Sequence, residues 1–433
     1  MLHQRDIICP KFTLNTVHRT IVRQMKAFVV VYSSRKVGFM TIQELQQSIQ
    51  KTEADAYILV DYENKNKVLV GFLGEKMLTR KIIMVIPREG KPFLITHVID
   101  TVYLQDETTL KNFDLKPYKT WQQMLALEKD AFSGYKSVLM DMSENGLLPR
   151  VSLADYGSVE YVKSLGIKVI SSGDLLQSMT AVLSDEAYDS QVRACEVTLK
   201  IKDEAFRLIK QEILTKGETD ELFIQAFIGK RFREEGMVYD ELPLVAIGKN
   251  ASNPHYTPTP ENYSKIKEGD LVLIDMWAKY DYPHGVYSDI TWMGYVGTEI
   301  PEVYKERFKI VKAARDGVIS FLKREIPKRE VKAYEADDVA RKIITEAGYG
   351  EWFLHRVGHN IANDVSPHGP GANLDNYESH DDRSLMEGTS FSDEPGIYAP
   401  DFGVRSETDL HIKNRELIVV GGLQDEIIPI MSL

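Results

Sequence analysis

The segment that decides the fold begins at His355 and reads HRVGHNIANDVSPHGPGANLD as far as Asp375. It resumes at Phe391 as FSDEPGIYAPDFGVRSETD and ends at Asp409. These two runs hold three histidines and two glutamates, in a chain that has only 10 histidines. Imidazole and carboxylate groups together are the ligands of divalent metals of borderline softness. The segment therefore indicates a metal site, and we expect the rest of the chain to complete its ligands.

The composition is that of a globular protein with more than one domain, because 433 residues exceed the usual size of a single core. The chain is 43% hydrophobic and 27% charged. A formal net charge of -11 argues against a nucleic-acid partner or a basic membrane-surface protein. No apolar run approaches the roughly 18 residues that a membrane span requires. We therefore expect a cytoplasmic enzyme that has neither nucleic acid nor membrane as a partner.

The two cysteines carry no sign of a disulfide framework or a thiolate metal site. Cys9 and Cys195 lie far apart in the sequence, and neither belongs to a CxxC motif. Cys195 stands at helical spacing from Val192 and Leu199. We interpret it as a small residue of the hydrophobic core.

Residues 1–39 are interpreted as an N-terminal extension. Before Thr41 the only acidic residue is Asp6, against seven lysines and arginines. The apolar run from Ala27 to Tyr32 is shorter than the roughly 7 to 15 residues of a signal-peptide core. A transit-like leader is one alternative. We favour an extension without fixed structure, because MTIQELQQSIQ from Met40 is typical of a first helix.

Residues 40–179 predict an α/β domain, because short apolar runs alternate there with helical patterns. The predicted helices are 43–51, 121–128 and 153–165, and the predicted strands are 56–60, 81–86, 92–96, 137–140 and 167–170. This region contains no GxGxxG and no GxxxxGK[ST] motif, so a nucleotide site there has no support.

Residues 180–433 predict a second domain that begins with a long helix after Ser184. The further predicted helices are 220–235, 301–324 and 333–347. The predicted strands are 244–247, 271–280, 285–297, 403–412 and 416–421, and DYPHG reads as a hairpin loop between two of them. Two of these strands carry an aspartate within an apolar run, namely Asp275 and Asp289.

Four carboxylates and one imidazole complete a candidate site for two divalent cations. Three of the carboxylates, Asp275, Asp289 and Glu407, lie on predicted strands, which are rigid supports for ligands. The set comprises Asp275, Asp289, His359, Glu394 and Glu407. Each residue alone also has a structural interpretation, such as a buried salt bridge, a turn acid or a core histidine. The set is more specific than its members, because every structural interpretation would have to hold at once.

These residues resemble the pita-bread metallopeptidases, which include methionine aminopeptidase, aminopeptidase P and prolidase. The family's ligands follow the order Asp, Asp, His, Glu, Glu, and the five residues above occur in that order. The neighbouring words agree: GKNASNPHY precedes the first ligand, and SDIT, GH, EPGIY and VRSE contain the others. The resemblance covers the chain from about Ser184 onward. It implies an α+β protein, with a pita-bread catalytic domain preceded by a creatinase-like α/β N-terminal domain.

The resemblance also implies a role for each residue. Asp275 would bind one metal ion, Asp289 and Glu407 would bridge two, and His359 and Glu394 would hold the other. Two such ions lower the pKa of a shared water to roughly 7, so that hydroxide attacks a peptide carbonyl at neutral pH. Glu394 would pass the proton to the leaving amine. Manganese is the expected metal, with cobalt, zinc or iron as alternatives.

Four further residues are expected to act in catalysis. His255 and His368 would steady the substrate and the developing oxyanion. His355, four residues before His359, and Arg405, two residues before Glu407, are similar to the proline-specific branch of the family. We therefore expect an Xaa-Pro aminopeptidase acting on peptides as a homodimer. A prolidase-type dipeptidase is the main alternative; a creatinase-like hydrolase, a lyase and a non-catalytic binding module are further ones.

The sequence departs from the family pattern in four places. Trp277 stands where a small residue is common, and Asp289 lies 14 positions after Asp275, with an extra histidine, His284, in the gap. Asn360 and Ala362 replace glycines, whose lack of a Cβ allows close backbone approach. His368 follows His359 by nine residues where seven is usual, so Ser366 and Pro367 resemble an insertion. We expect these changes to alter the substrate pocket and to leave the ligands in place.

Overall fold

The computed structural model describes residues 41–433, so the extension predicted for residues 1–39 lies outside the described residues. The first part of the chain forms a six-stranded mixed sheet in the order β4-β3-β2-β1-β5-β6. Its strands are β1 (Ala56–Asp61), β2 (Ile82–Pro87), β3 (Phe93–His97), β4 (Asp114–Tyr118), β5 (Ser137–Met140) and β6 (Lys168–Ser171). Its helices are α1 (Ile42–Gln50), α2 (Lys67–Leu73), α3 (Glu107–Asn112), α4 (Trp121–Ala131), α5 (Tyr156–Ser164) and α6 (Gly173–Thr180).

Both faces of this sheet are covered, which explains why β1 is apolar throughout. Tyr57 and Leu59 pack into the core on one face, and Ala56, Ile58 and Val60 pack into the core on the other. Alternate residues of a strand point to opposite faces, so a central strand covered twice reads as one continuous apolar run. The five strands predicted in this region all form, each within one residue of the predicted bounds.

The prediction missed α2, α3, α6 and β4 for local reasons. The segment KVLVGFL of α2 is too short to show helical periodicity, and its helical start is fixed by Asn66, whose side chain accepts from the backbone N–H groups of Val68 and Leu69. Strand β4 contains Pro117, which argues against a strand in sequence analysis. Because β4 lies at the edge of the sheet, the missing proline N–H is tolerated there.

The long helix α7 (Asp185–Lys216) begins the second part of the chain, as predicted. The Ser184 side chain accepts from the backbone N–H of Ala187, and Gly217 ends the helix in the left-handed conformation, at φ 79°. Cys195 lies on the buried face of α7, in agreement with its interpretation as a core residue. Helix α8 (Glu221–Glu234) follows, capped by Asp220.

Two sheets and two helices complete the second part. One sheet joins β8 (Met237–Val238), β9 (Leu244–Ile247), β11 (Leu271–Tyr280), β12 (Ser288–Tyr295) and β19 (Ile428–Pro429). The other joins β13 (Asn360–Ile361), β14 (Ser390–Asp393), β17 (Thr408–Lys413) and β18 (Glu416–Val419). Two short ladders pair β7 (Glu218–Asp220) with β10 (Lys265–Lys267), and β15 (Gly396–Tyr398) with β16 (Gly403–Arg405). Helices α9 (Glu302–Glu325) and α10 (Ala333–Glu346) pack against each other over the largest core cluster.

Two predicted strands need correction. The strand predicted over 403–412 is two strands, β16 and β17, because β16 pairs with β15 whereas β17 pairs with β14. The break falls at Ser406 and Glu407, where the chain passes from one ladder to the other. The strand predicted over 285–297 begins only at Ser288, since the preceding residues belong to the hairpin loop.

The two parts of the chain meet through buried polar contacts. Gln177 of α6 is 1% exposed; its amide donates to the carbonyl of Ser384 at 2.8 Å and accepts from the N–H of Ala372 at 3.1 Å. Arg150 donates to the carbonyl of Gly369. We propose a domain division into residues 40–179 and 180–433, in which these contacts lie between the domains. Over residues 41–433, none of the helices has the length and hydropathy to cross a membrane.

The Gln177 contacts give a test of the link between the two parts. Gln177→Leu leaves a buried N–H and a buried carbonyl without partners, so we expect the free energy of unfolding to fall by about 2 kcal/mol. Urea unfolding of wild type and variant measures this change. Gln211→Leu, at an exposed position of α7, is the matched control and should shift stability by less than about 0.5 kcal/mol. Equal effects of the two substitutions would show that the contacts are not coupled to unfolding.

Candidate metal centre

The register of β11 and β12 places both aspartates on one face of the sheet. Asp275 lies opposite Thr291, and Trp277 lies opposite Asp289. Residues directly opposite on antiparallel strands share a face, and so do residues two apart on one strand. All four side chains therefore project from the same side of the hairpin.

The second sheet supplies the remaining candidate ligands from its strand ends. Glu394 follows β14 directly, Glu407 lies between β16 and β17, and His359 precedes β13. The Ser392 hydroxyl joins two of them: it accepts from the backbone N–H of His359 at 2.9 Å and donates to the Glu394 carboxylate at 3.2 Å. Strand ends hold the side chains in fixed positions, as expected for a ligand set.

All nine residues that the sequence indicated for the site line one pocket of about 430 Å³. Ligand atoms of Asp289, His359 and Glu407 lie within 4.8 Å of one another, and all three residues are buried. His359 Nε2 lies 3.4 Å from Asp289 and 3.6 Å from Glu394. Asp275 stands slightly apart from this group, in an ion pair with Arg405.

The charges of this cluster fit a divalent cation. Burial raises the pKa of Asp289 well above its usual range, and the carboxylates of Glu407, Asp275, Asp409 and Glu394 raise it further. Burial also raises the pKa of Glu407, helped by Glu394 and Asp275. Desolvation holds the pKa of His359 well below its usual range, so its imidazole is neutral, which is the form that binds metal. Ionised carboxylates this close together require a compensating positive charge, and oxygen and nitrogen donors of this kind suit a divalent metal.

Arg405 links the candidate ligand Glu407 to Tyr398 and His355 through a chain of hydrogen bonds. Its Nε donates to the Thr291 hydroxyl at 2.9 Å, and that hydroxyl donates to Glu407 at 2.7 Å. Its Nη1 donates to the Tyr398 hydroxyl at 3.2 Å. The Tyr398 hydroxyl in turn lies 2.6 Å from Nε2 of His355. Thr291 and Tyr398 were not singled out in the sequence, although each lies in a motif quoted above, SDIT or EPGIY.

His355 is held as a neutral acceptor. Its Nδ1 lies 2.6 Å from the carbonyl of Arg356, so this nitrogen donates and Nε2 accepts from Tyr398. Desolvation lowers the pKa of His355 to about 3, and the charge of Arg405 adds to the effect. The residue therefore positions Tyr398 beside the pocket without carrying charge at neutral pH.

His255 is exposed at the rim of the pocket, and hydrogen bonds to the Glu221 carboxylate hold its loop in place. The buried carboxylate of Glu221 accepts from the N–H groups of Ile247 and Ser264, at 2.9 and 2.7 Å. It also accepts from the Tyr256 hydroxyl at 2.6 Å, the residue directly after His255. Glu221 carries no signal in the sequence, because it starts an ordinary helix 34 residues before His255 and no motif marks it.

His368 reaches the ligand His359 despite its shifted position. The two rings lie edge to face with centroids 4.1 Å apart, and desolvation in the pocket lowers the pKa of His368 to about 4 although its outer side is exposed. The lengthened loop that carries it docks on the lengthened hairpin. Asn363 donates to the carbonyl of Pro283, and the Tyr287 hydroxyl donates to the carbonyl of Val365 at 2.9 Å. The hairpin loop and the His368 loop therefore support each other. His284 lies outside the pocket lining, exposed and 3.6 Å from Glu186.

Asn360 and Ala362 do not break the loop in which they replace glycines. The Asn360 amide donates to the carbonyl of Ser390 and accepts from the N–H of Gly371, both at 2.8 Å. The backbone comes close to the Asn360 side chain at two glycines, Gly369 and Gly371. An added Cβ there would lie 2.4 and 2.6 Å from that side chain. The side chain of Asn360 thus occupies the space that these glycines leave open.

The comparisons with known proteins agree with this geometry. The sequence profile of metallopeptidase family M24 matches residues 191–414. The chain belongs to metallopeptidase family M24. An M24 relative, the Xaa-Pro dipeptidase of Pyrococcus horikoshii, is 28% identical over 361 residues, which cover 82% of this chain and 93% of that protein. The Xaa-Pro dipeptidase of Lactobacillus helveticus is 37% identical over 179 residues, and this match spans only 43% of its length.

Solved structures show the same fold. The prolidase from Pyrococcus horikoshii OT3 aligns with a TM-score of 0.51 at 25% identity, covering 89% of this chain and 99% of that one. The X-Pro aminopeptidase from Thermotoga maritima aligns with a TM-score of 0.51 at 24% identity, covering 90% and 99%. The predicted α+β fold, with an α/β domain before a pita-bread domain, is confirmed, and so is the prediction of a metallopeptidase. The individual roles of the M24 site residues stay predictions.

Glu221 gives a test of how the rim of the M24 site is held. Glu221→Gln replaces an anionic acceptor by an amide that cannot accept from all its donors, so we expect a loss of stability of about 3 kcal/mol. We also expect a rise in KM for substrate, because the His255 loop loses its anchor. Thermal unfolding and steady-state kinetics measure the two effects. Glu218→Gln, which removes only a surface ion pair with Lys267, is the matched control. A variant as stable as this control would contradict the anchoring role.

Proposed function

We propose that the protein is a dinuclear metal-dependent peptidase that hydrolyses the Xaa-Pro bond at the N-terminus of peptides. One observation carries the proposal: Asp289, His359 and Glu407 bring their ligand atoms together in a buried pocket that Asp275 and Glu394 also line. Such a set fits two cations with bridging carboxylates.

The proposed ligand assignment uses the five residues in the order of the family. Asp275, Asp289 and Glu407 would hold one ion, and His359 and Glu394 would hold the other together with the same two shared carboxylates, Asp289 and Glu407. Manganese is the proposed metal, with cobalt, zinc or iron as alternatives. When bound, the ions supply a hydroxide nucleophile at neutral pH and polarise the scissile carbonyl. Burial raises the pKa of Asp275, and the ion pair with Arg405 opposes that rise.

Glu394 is the proposed proton carrier. Burial raises its pKa to about 7, while the charges of Arg405 and Arg356 oppose the rise. A carboxylate that lines the pocket beside the attacking water can take up its proton and deliver it to the leaving proline nitrogen. His255 and His368 face the pocket from the rim, where they donate to the carbonyl oxygen as charge develops.

Two observations support proline specificity and leave the preferred peptide length to experiment. His355 and Arg405, the two residues that are similar to the proline-specific branch, both contact the Tyr398 hydroxyl beside the pocket. Two M24 relatives described above are named Xaa-Pro dipeptidase, which favours dipeptidase activity as a second candidate.

We also propose that the protein is a cytoplasmic homodimer. Sedimentation equilibrium measures this assembly directly.

Peptide length separates the two candidate activities. An aminopeptidase is expected to release Xaa from Xaa-Pro-Yaa tripeptides at least as fast as from Xaa-Pro dipeptides, because its pocket must admit the chain beyond proline. A dipeptidase is expected to release Xaa faster from Xaa-Pro dipeptides than from Xaa-Pro-Yaa tripeptides. Steady-state rates for both peptides, with added manganese, cobalt, zinc or iron, make the comparison. A chain that cleaves neither peptide with any of these metals is not an Xaa-Pro peptidase.

The role of Glu394 is tested by Glu394→Gln. The amide cannot carry the proton, so kcat is expected to fall by at least about 100-fold. The variant is compared with Glu387→Gln, at a glutamate of a neighbouring turn outside the pocket, which should retain wild-type kcat. Near-normal turnover by Glu394→Gln would assign the proton transfer to another group.

A further inference from the structure

Trp277 is the largest departure of the pocket from the family pattern, and the structure places it beside the ligands. It lies directly opposite Asp289 in the β11–β12 register and two residues after Asp275. Its side chain therefore shares the face of the sheet that carries both aspartates. The indole also lines the pocket. A bulky aromatic ring thus stands where the family commonly has a small residue.

The indole is fixed on two sides. Its Nε1 donates to the carboxylate of Asp240 at 2.7 Å, on the loop before β9. Its ring packs against a small apolar cluster formed by Ala187, Val286, Tyr287 and Ile361. A half-buried ring that also has its polar edge satisfied holds one orientation.

Trp277 lies beside a carboxylate that would bind the amino end of a substrate. Asp240 accepts from the indole and lines the pocket, as does Glu241, and both carboxylates would attract the α-ammonium group of a substrate. An α-ammonium group held by Asp240 would bring the residue N-terminal to the scissile bond beside Trp277. Glu394, the proposed donor to the leaving proline nitrogen, follows β14, whereas Trp277 lies on β11.

We propose that Trp277, held by Asp240, is a specificity-determining residue that limits the size of the Xaa side chain in Xaa-Pro substrates. The inference rests on the proposed function. The ring fills the space beside Asp289, so glycine and alanine fit there, whereas leucine and phenylalanine meet the indole. A pocket of about 430 Å³, near the lower end of the roughly 300–1,000 Å³ of small-molecule sites, is consistent with a restricted substrate.

The test is the ratio of kcat/KM for a bulky substrate to that for a small one, Phe-Pro over Ala-Pro. Trp277→Ala is expected to raise this ratio by about tenfold or more, since filling one apolar subsite changes discrimination by that order. Trp277→Phe, which keeps a ring but loses the donor to Asp240, should raise it less. Asp240→Asn keeps an acceptor for the indole and should retain the wild-type ratio, whereas Asp240→Leu should raise it.

Further measurements distinguish a change in the pocket wall at Trp277 from a general loss of folding or metal binding. A folding or metal-binding defect lowers both kcat/KM values together and leaves their ratio unchanged, so bound metal and unfolding temperature are measured for each variant. Trp121→Phe, at an exposed position on α4, is the matched control and should change neither value. An unchanged ratio in Trp277→Ala, with wild-type metal content, overturns the inference while leaving the proposed function intact. Failure of wild type to cleave either substrate overturns both.

Discussion

Mutual repulsion among buried carboxylates is the constraint on which the rest of the structure depends. Asp275, Asp289, Glu394 and Glu407 line a single pocket, and each has its pKa raised by burial. Two charges about 4 Å apart repel by about 4 kcal/mol at an effective dielectric constant of 20. Strands β11 and β12 and the ends of β14 and β17 fix these side chains, Arg405 neutralises part of the charge, and a divalent metal would balance the remainder. The two sheets thus bring the four carboxylates into one pocket.

Much of this architecture follows from local sequence. Uniformly apolar runs identified the buried strands, and an aspartate within such a run marked a residue with a functional reason to be buried. The residues that escaped prediction are those whose role depends on contacts between distant segments. Glu221 is an unremarkable first-turn acid until the fold brings Ile247, Tyr256 and Ser264 around it. The break at Ser406 was likewise invisible, because both flanking segments have strand-like composition and only their different pairing partners interrupt the strand.

The four departures from the family pattern are one connected change rather than four separate ones. The lengthened hairpin receives the lengthened His368 loop, through Asn363 and Tyr287. Asn360 fills the space next to Gly369 and Gly371 in the same loop. Trp277 packs beneath, against Val286, Tyr287 and Ile361. These contacts join the four positions into one wall of the pocket, in which His368 lies against His359.

The central claim is that the carboxylate cluster is a site for two divalent ions, and metal stoichiometry tests it most directly. The protein is stripped with a chelator, equilibrated by dialysis against manganese, cobalt, zinc or iron(II), and assayed for metal per chain and for unfolding temperature. We expect two ions per chain and an unfolding temperature that rises with metal concentration, because ions that bind only the folded state stabilise it. Asp289→Asn should lose both effects. Less than one ion per chain with every metal, and an unchanged unfolding temperature, would contradict the account.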